Sequence, residues 1–343
     1  MQGMMKVLDC TLRDGGLGLE DFAKNGIRTA AFTEKEKKEL AENARDAKID
    51  IIELGCMSET DIREEFAVYE NIEQISKYIP KRIYEDQMYV GLYRGPDTKQ
   101  NKIPEHSPEF IDGVRVILRY SELQKSLDFC AALSRKGYKV FIQPMLTMRY
   151  SDDELERVVY AANEMQAYAC YFVDSYGYME EKDVERFYRF YEERLDSDIS
   201  IGFHAHNNLE MAFSNVRYFV EKLHGRKKII DSCAIGMGQG SGNLQTEILV
   251  QYVNKKYGGQ YKFDNILEMC DILDKFRMHD METWGYSPVR LISAVHNTAY
   301  KYAVAMRVKY HMSLVEINRM VSKIPEDLRY RYTAENLKEL MGR

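Results

Sequence analysis

The sequence predicts a (β/α)8 barrel that carries an α-helical appendage. Two observations predict it: eight short β-branched runs alternate with amphipathic stretches over roughly the first 260 of 343 residues, and beyond residue 263 the β signal gives way to helical runs. Such alternation is what repeated βα units produce, and an open doubly wound sheet of this length usually shows fewer strands. In chain order the strand candidates are 6–12 (KVLDCTL), 49–55 (IDIIELG), 88–93 (MYVGLY), 113–118 (GVRVIL), 138–144 (YKVFIQP), 169–174 (ACYFVD), 199–205 (ISIGFHA) and 228–235 (KIIDSCAI). Helix starts are marked by Thr33 with Glu36, Ser121 with Gln124, and Ser151 with Glu154. Each pair offers a side-chain oxygen to orphan amides and an acceptor three residues on, the capping-box spacing. The helix beginning at Ser151 places Leu155, Val158, Val159, Ala162 and Met165 on one stripe, the face that packs on a sheet. Residues 1–260 are read as the barrel domain and 261–343 as a helical region. With no Pro/Gly-rich linker between them, the helical region is expected to pack on the barrel.

Composition excludes several classes. Forty-eight basic against 54 acidic residues give a net charge of −6, which argues against nucleic acid or an anionic membrane as the main partner. No run approaches the roughly 20 apolar residues that cross a bilayer, and the N-terminus becomes charged too soon for a signal peptide, so a cytoplasmic protein is expected. The six cysteines are scattered without a CxxC pair, which indicates neither a zinc ribbon nor a disulfide framework. A small-molecule ligand is the expectation.

In a barrel of this kind the reactive groups come from the C-terminal ends of the strands and the loops after them. Three ends stand out: DCTLRDGG (9–16) after the first strand, HAHNN (204–208) after the seventh and GMGQGSGN (236–243) after the eighth. His204 and His206, two apart on a strand, share a face and can ligate one ion. Strands seven, eight and one are neighbours in a closed barrel, so a carboxylate of the first end and the amide of Asn243 can converge on the same point. Alternation alone does not choose between Asp9 and Asp14. Two imidazoles, a carboxylate and an amide oxygen suit a divalent ion such as Mn²⁺, Mg²⁺, Zn²⁺ or Fe²⁺. GMGQGSGN lacks the ending of a Walker loop, and Ser241 stands where a dinucleotide fingerprint needs its third glycine, so a tight turn presenting Asn243 is the better account.

In this order and at these strand ends, DCTLRDGG, the HAHNN segment and GMGQGSGN resemble the DRE-TIM metallolyase superfamily, and DSCAIGMGQGSGNLQTE, FVDSYGYM and IGFHAHNNLEMAFSN look most like its 4-hydroxy-2-oxovalerate aldolase branch. The resemblance spans roughly residues 6–250. It implies a catalytic divalent metal, Mn²⁺ or Mg²⁺ before Zn²⁺, held by Asp14, His204 and His206 with Asn243 at or beside the coordination sphere. It also implies Arg13 against the oxygen that becomes an enolate, and a 2-oxo acid such as pyruvate with an aldehyde as substrates. Tyr286, in WGYSP, resembles a tyrosine that the helical region brings to the mouth. Glu53, Arg119, Gln143 and Ser175 are further strand-end candidates for substrate contact, with Asp174 beside them, and Glu53 acting only to hold Arg13 is an equal alternative. One position departs from the branch: where a histidine base follows the RDG triplet, this chain has Leu17. His279 and His296 are the candidate substitutes. The cysteine-bearing loop of HMG-CoA lyase is not matched, Cys233 lying in the strand before the glycines.

The leading reading is therefore a metal-dependent aldolase. A Claisen-type enzyme joining acetyl-CoA to a 2-oxo acid would need an acyl-CoA site, for which no distinct signal is present. A non-catalytic metal-binding barrel is motivated by Leu17, and a non-haem iron oxygenase only by the two-histidine, one-carboxylate count. The apolar stripes of the helical tail leave a homodimer surface, a cap over the barrel mouth, or both, as expectations.

Overall fold

Eight parallel strands close on themselves in the computed structural model, which describes residues 5–26, 29–276 and 284–342. They are β1 (Met5–Asp9), β2 (Ile51–Met57), β3 (Met88–Tyr93), β4 (Gly113–Leu118), β5 (Lys139–Pro144), β6 (Ala169–Asp174), β7 (Ser200–Ala205) and β8 (Lys228–Ser232). Each pairs with its neighbour in chain order, and β1 closes the ring by pairing Leu8 with Asp231 of β8 and with Ile51 of β2. A two-residue strand, Val68–Tyr69, adds to β2 beside a register shift between Glu53 and Cys56.

The period-two alternation of the strands decides what reaches the barrel axis. Val7, Ile52, Val114, Val116, Ile142, Phe172, Ile201, Phe203 and Ile230 face outward into one large apolar layer beneath the helices. Leu8, Ile51, Met88, Val90, Phe141, Tyr171 and Ile229 fill the interior. By the same alternation Glu53, Arg115, Gln143, His204 and Asp231 point inward, and all five are buried.

Capping boxes at Thr33 and Ser151 start the helices Glu34–Asp46 and Asp152–Glu164 as their spacing predicts, and Leu155, Val158, Val159 and Ala162 are buried on the predicted stripe. Ser121 does not cap: a 3-10 turn, Tyr120–Glu122, intervenes, and the helix Leu123–Arg135 begins after Glu122 without a side-chain cap. The first strand also ends earlier than its apolar run, at Asp9 rather than residue 12, because the Asp9 carboxylate accepts from the Thr11 amide at 3.1 Å and its hydroxyl at 2.9 Å and turns the chain.

The helix Phe263–Asp274 buries Ile266, Met269 and Leu273 in the barrel's outer layer and packs on Glu34–Asp46. A separate apolar cluster is built from the helices Pro288–Val295, Tyr300–Val308, Leu314–Val321 and Ala334–Gly342 around Tyr302, Met306, Ile317 and Leu337. We propose that the two units divide nearer to residue 277 than to 260, since the helix 263–274 belongs to the barrel by packing. The second cluster sits over the C-terminal mouth: Tyr300 and Lys301 bond Asp21, Tyr176 bonds the Tyr330 carbonyl, and the Trp284 indole donates to the Ile235 carbonyl at 3.0 Å. No helix among the described residues is long and apolar enough to cross a membrane.

Candidate metal centre and substrate cavity

The turn after β1 separates the two aspartates that alternation leaves equal. Residues Thr11–Gly15 form one π-helical turn, and Thr11 secures it by accepting from the Ala234 amide at 2.8 Å. Asp9 stays below, bound by Thr11 and Thr246, with burial pushing its carboxyl up to about 6. Asp14 is carried into the mouth, where Arg13 donates to it at 2.5 Å and the Asn243 amide donates to its other oxygen. Burial alone would raise the Asp14 carboxyl; the Arg13 charge, the two histidines and Asn243 reverse that and hold it well below the ordinary range. These neighbours favour its carboxylate form.

His204, on β7, and His206, just beyond it, bring their Nε2 atoms to 3.3 Å. Their other nitrogens are engaged: His204 Nδ1 lies 2.9 Å from Asp231 and His206 Nδ1 lies 3.2 Å from the Gln239 carbonyl. A carbonyl only accepts, so His206 donates from Nδ1 and its Nε2 lone pair faces the mouth. Burial, with the Asp14 anion only partly opposing it, lowers His206 to about 4. For His204 the Asp231 bond overcomes burial and lifts it to about 9.

These three residues meet the requirements of a divalent ion. Two nitrogens each about 2.0–2.1 Å from one ion stand roughly 2.8–3.4 Å apart between octahedral and tetrahedral angles, and the observed 3.3 Å lies in that range. One Asp14 oxygen and the two Nε2 atoms lie within 4.8 Å of one another. The Asn243 side-chain oxygen is buried without a hydrogen-bond partner, a further acceptor for the ion or for substrate. Cys10, His204 and Asp231 also cluster, but Asp231 is occupied by Arg115 and His204. The Cys10 thiol lies against Cys233 at 3.3 Å, outside the cavity lining. Among the described residues, the Asp14 set is the cluster whose three members all line the cavity.

Behind these three side chains runs a chain of buried charges. Arg13 Nε donates to Glu53 Oε2 at 2.8 Å, Arg115 donates to the same oxygen at 2.8 Å, and Arg115 also binds Asp231, the partner of His204. Arg115 stacks on the Tyr171 ring at 5.0 Å. Buried ions of this kind hold geometry rather than add stability, since desolvation consumes most of the Coulomb gain. Glu53 is therefore a holder of Arg13 and Arg115, and it does not line the cavity.

The glycine loop also serves the centre. A Cβ on Gly238 would stand 2.1 Å from the Asn243 side-chain nitrogen and 2.6 Å from Asp14 Oδ2. Gly238→Ala is expected to lower metal affinity at least ~10-fold, as misplaced supporting groups do, while the thermal midpoint moves by only a few degrees. Manganese titration beside a melting curve measures both.

A cavity of about 300 Å³ opens above Arg13, Asp14, His204 and His206. Gln143 and Ser175 line it as expected, and the Gln143 amide nitrogen is buried with no hydrogen-bond partner. Asn243 lies just behind Asp14. Arg119 is not brought in: β4 ends at Leu118, and Arg119 turns to Asp97 and Glu122. Asp174 is absorbed in its own turn, accepting the Tyr178 and Met179 amides. Tyr286 is 54% exposed and outside the cavity. Tyr300 lines it instead, beside Gly240, with its hydroxyl 2.6 Å from Asp21. Leu17 packs among Cys56, Val68 and Leu92. His296 bonds Asn318 away from the site, and His279 lies outside the described residues. Unforeseen were Arg115 and Asp231, although a charged letter inside each buried strand was the signal, and Tyr300, Lys301 and Arg331 from the helical region.

A buried carboxylate and two imidazoles opening into the C-terminal mouth of a (β/α)8 barrel define a barrel with a candidate divalent-metal centre. The chain belongs to the HMGL-like family, whose model matches residues 4–277, and with it to the DRE-TIM superfamily that the strand-end motifs resemble. It is 29% identical to an oxaloacetate decarboxylase of Mycobacterium tuberculosis over 148 residues, 43% of either chain, so that match spans less than half of the relative. It is 26% identical to a 4-hydroxy-2-oxovalerate aldolase of Geobacillus genomosp. 3 over 254 residues, 73% of this chain and 71% of the other. Among solved structures it resembles the N-terminal domain of a putative aldolase from Bacteroides vulgatus, with a TM-score of 0.72, 22% identity, and coverage of 92% and 99% of the two chains.

Proposed function

We propose that the protein is a divalent-metal-dependent carbon–carbon lyase of the aldolase type, cleaving or forming a 4-hydroxy-2-oxo acid by way of a 2-oxo acid enolate. The observation that carries this reading is the Asp14–His204–His206 cluster with the Arg13 guanidinium beside it, all lining one cavity. A divalent ion held there, Mn²⁺ or Mg²⁺ as the family resemblance implies, would supply Lewis-acid polarisation of the 2-oxo group. Arg13, fixed by Glu53, places a permanent positive charge where the enolate oxygen develops. Gln143 supplies an unpaired amide donor for the substrate carboxylate. The apolar side chain at Leu17 leaves the 4-hydroxyl proton to another group. In this reading Tyr300 accepts it while passing its own proton to Asp21, the C3–C4 bond breaks, and its electron pair becomes the enolate. Burial and then the Asp21 charge hold the Tyr300 phenol well above its ordinary range, so it relays a proton rather than storing a charge. Cytoplasmic 2-oxo acids such as pyruvate fit these donors.

A second reading rests on Leu17 itself. Decarboxylation of oxaloacetate, whose C4 carboxylate leaves its electron pair at C3, passes through the same enolate and needs no hydroxyl base, and one relative is named an oxaloacetate decarboxylase. Loss of the C3 protons of pyruvate and 2-oxobutyrate in D₂O, followed by proton NMR with Mn²⁺ or Mg²⁺, tests the shared step. Exchange is expected to require both metal and Arg13, with Arg13→Ala slower by roughly 10²–10³-fold, the usual cost of removing a donor aimed at a developing oxyanion. Metal-independent exchange, or none, sinks the proposal. Carbon dioxide release from oxaloacetate against aldehyde release from 4-hydroxy-2-oxovalerate separates the two readings.

A further inference from the structure

The end of the cavity contributed by the helical region carries a cation with no counter-ion among the described residues. Three basic side chains line the cavity: Arg13, Lys301 and Arg331. Arg13 is held by Asp14 and Glu53, and Lys301 by Asp21 at 2.9 Å. Arg331 forms no ion pair and no side-chain hydrogen bond among the described residues, in a protein whose acidic residues outnumber its basic ones, 54 to 48.

Its backbone, by contrast, is fixed. The Arg331 carbonyl accepts from the Tyr302 hydroxyl at 3.0 Å and from the Asn336 amide at 3.3 Å, and the Tyr330 carbonyl accepts from the Tyr176 hydroxyl at 3.3 Å. The Tyr330 ring is stacked on the Arg149 guanidinium at 4.7 Å, and Arg149 is in turn stacked on Tyr120 at 4.3 Å. The segment 330–332 is thus anchored to the barrel at two points while the Arg331 charge stays unspent. A spare guanidinium fork over a cavity already holding the groups for a 2-oxo acid is the complement of a second negative charge on the same molecule. A single free cation matches a single carboxylate better than a phosphate dianion.

We propose that Arg331 determines specificity by binding a terminal carboxylate, so that the substrate of this site is a 2-oxo dicarboxylate and the aldehyde half carries its own carboxylate. This deepens the lyase reading and rests on it for the position of the 2-oxo end. Tyr330 and Tyr332, which flank Arg331 in the cavity wall, supply the amphipathic surface along which the connecting carbons would lie.

Binding can be measured without turnover. The probes are 2-oxoheptanedioate and 2-oxoheptanoate, equal in chain length and different only in the terminal carboxylate. Each is titrated calorimetrically into Mn²⁺-loaded wild type, Arg331→Gln and Arg331→Lys. The wild type is expected to bind the dioate at least about 10-fold tighter, in line with a charge-assisted bond at an exposed side chain. Arg331→Gln is expected to abolish that preference while leaving the monoacid within twofold, and Arg331→Lys to retain part of it. Equal affinity of the wild type for both probes, or an equal loss of both in Arg331→Gln, overturns the assignment. A phosphorylated 2-oxo acid bound more tightly than the dioate overturns the choice of carboxylate. Should the dioate preference hold while pyruvate shows no metal-dependent C3 exchange, the lyase reading falls and the cation site stands; the converse result leaves the lyase and removes Arg331.

Discussion

Asp14→Asn is expected to remove the metal and with it at least about 10³-fold of the activity. Asp14 is the one anion among the three proposed ligands, and the asparagine keeps the volume of the side chain while discarding its charge. Outer-shell partners of metal ligands typically contribute 10- to 100-fold in affinity, so loss of the charged ligand itself should exceed about 100-fold. The substitution also leaves the Asn243 amide, which now donates to Asp14 and to the Met237 carbonyl, facing a side chain that can turn a donor toward it. Arg13 keeps Glu53 and should stay in place. The fold is therefore expected to survive, with melting within several degrees of the metal-free wild type. Metal content by atomic emission and C3 exchange are the readouts, and Asp9→Asn is the internal control. Asp9 is tied to Thr11 and Thr246 and does not reach the cavity. A metal-free Asp9→Asn protein beside a metal-loaded Asp14→Asn protein would invert the assignment of the centre.

The choice between those two aspartates shows where sequence legibility ends. Period-two alternation foretells that His204 faces the barrel axis, since Phe203 and Ala205 face the helices, and β7 obeys it. Strand alternation does not extend past Asp9, because a hydroxyl–carboxylate pair two residues apart stops the strand and starts a π-helical turn. The placement of Asp14 is a property of that turn. Arg119 fails for a related reason: one residue beyond the end of β4 the chain is free to rotate, and the exposed Asp97 and half-buried Glu122 carboxylates capture the guanidinium. Arg115 and Asp231 were visible as charges inside buried apolar strands, yet their pairing joins positions 116 residues apart across the barrel, which no local pattern reports. The helical region presents Tyr300 rather than Tyr286 because Asp21, on the helix Gly16–Lys24, draws Tyr300 and Lys301 together. That contact spans 279 residues.

The same buried chain of charges supports the second large effect. Asp231→Asn is expected to destabilise the protein by about 3–5 kcal/mol, the usual cost of breaking a buried pair, and to weaken metal binding by roughly 10- to 100-fold. Arg115 is completely buried and holds two carboxylates, Glu53 and Asp231, while Glu53 also serves Arg13. Neutralising Asp231 leaves two buried guanidiniums on the Glu53 carboxylate, with Asp14 offering partial relief to Arg13 alone. The residue on the far side is His204, lifted to about 9 chiefly because the Asp231 bond overcomes its burial. A group raised in the folded state stabilises the fold below its unfolded value, near 6.5, and that contribution disappears as pH rises through about 9. In the metal-free protein the penalty of Asp231→Asn should accordingly be greatest near pH 6 and shrink toward pH 9.5, leaving the Arg115 part. Urea unfolding of the metal-free wild type and variant at those two pH values separates the histidine part from the arginine part. Asp231→Asn combined with Arg115→Met removes the stranded cation as well. It should recover much of the lost stability without recovering metal affinity, because His204 would still lack the carboxylate that orients its ring. Recovery of both would mean that Asp231 acts on the centre only through Arg115, and recovery of neither would mean that the two residues do not share one network.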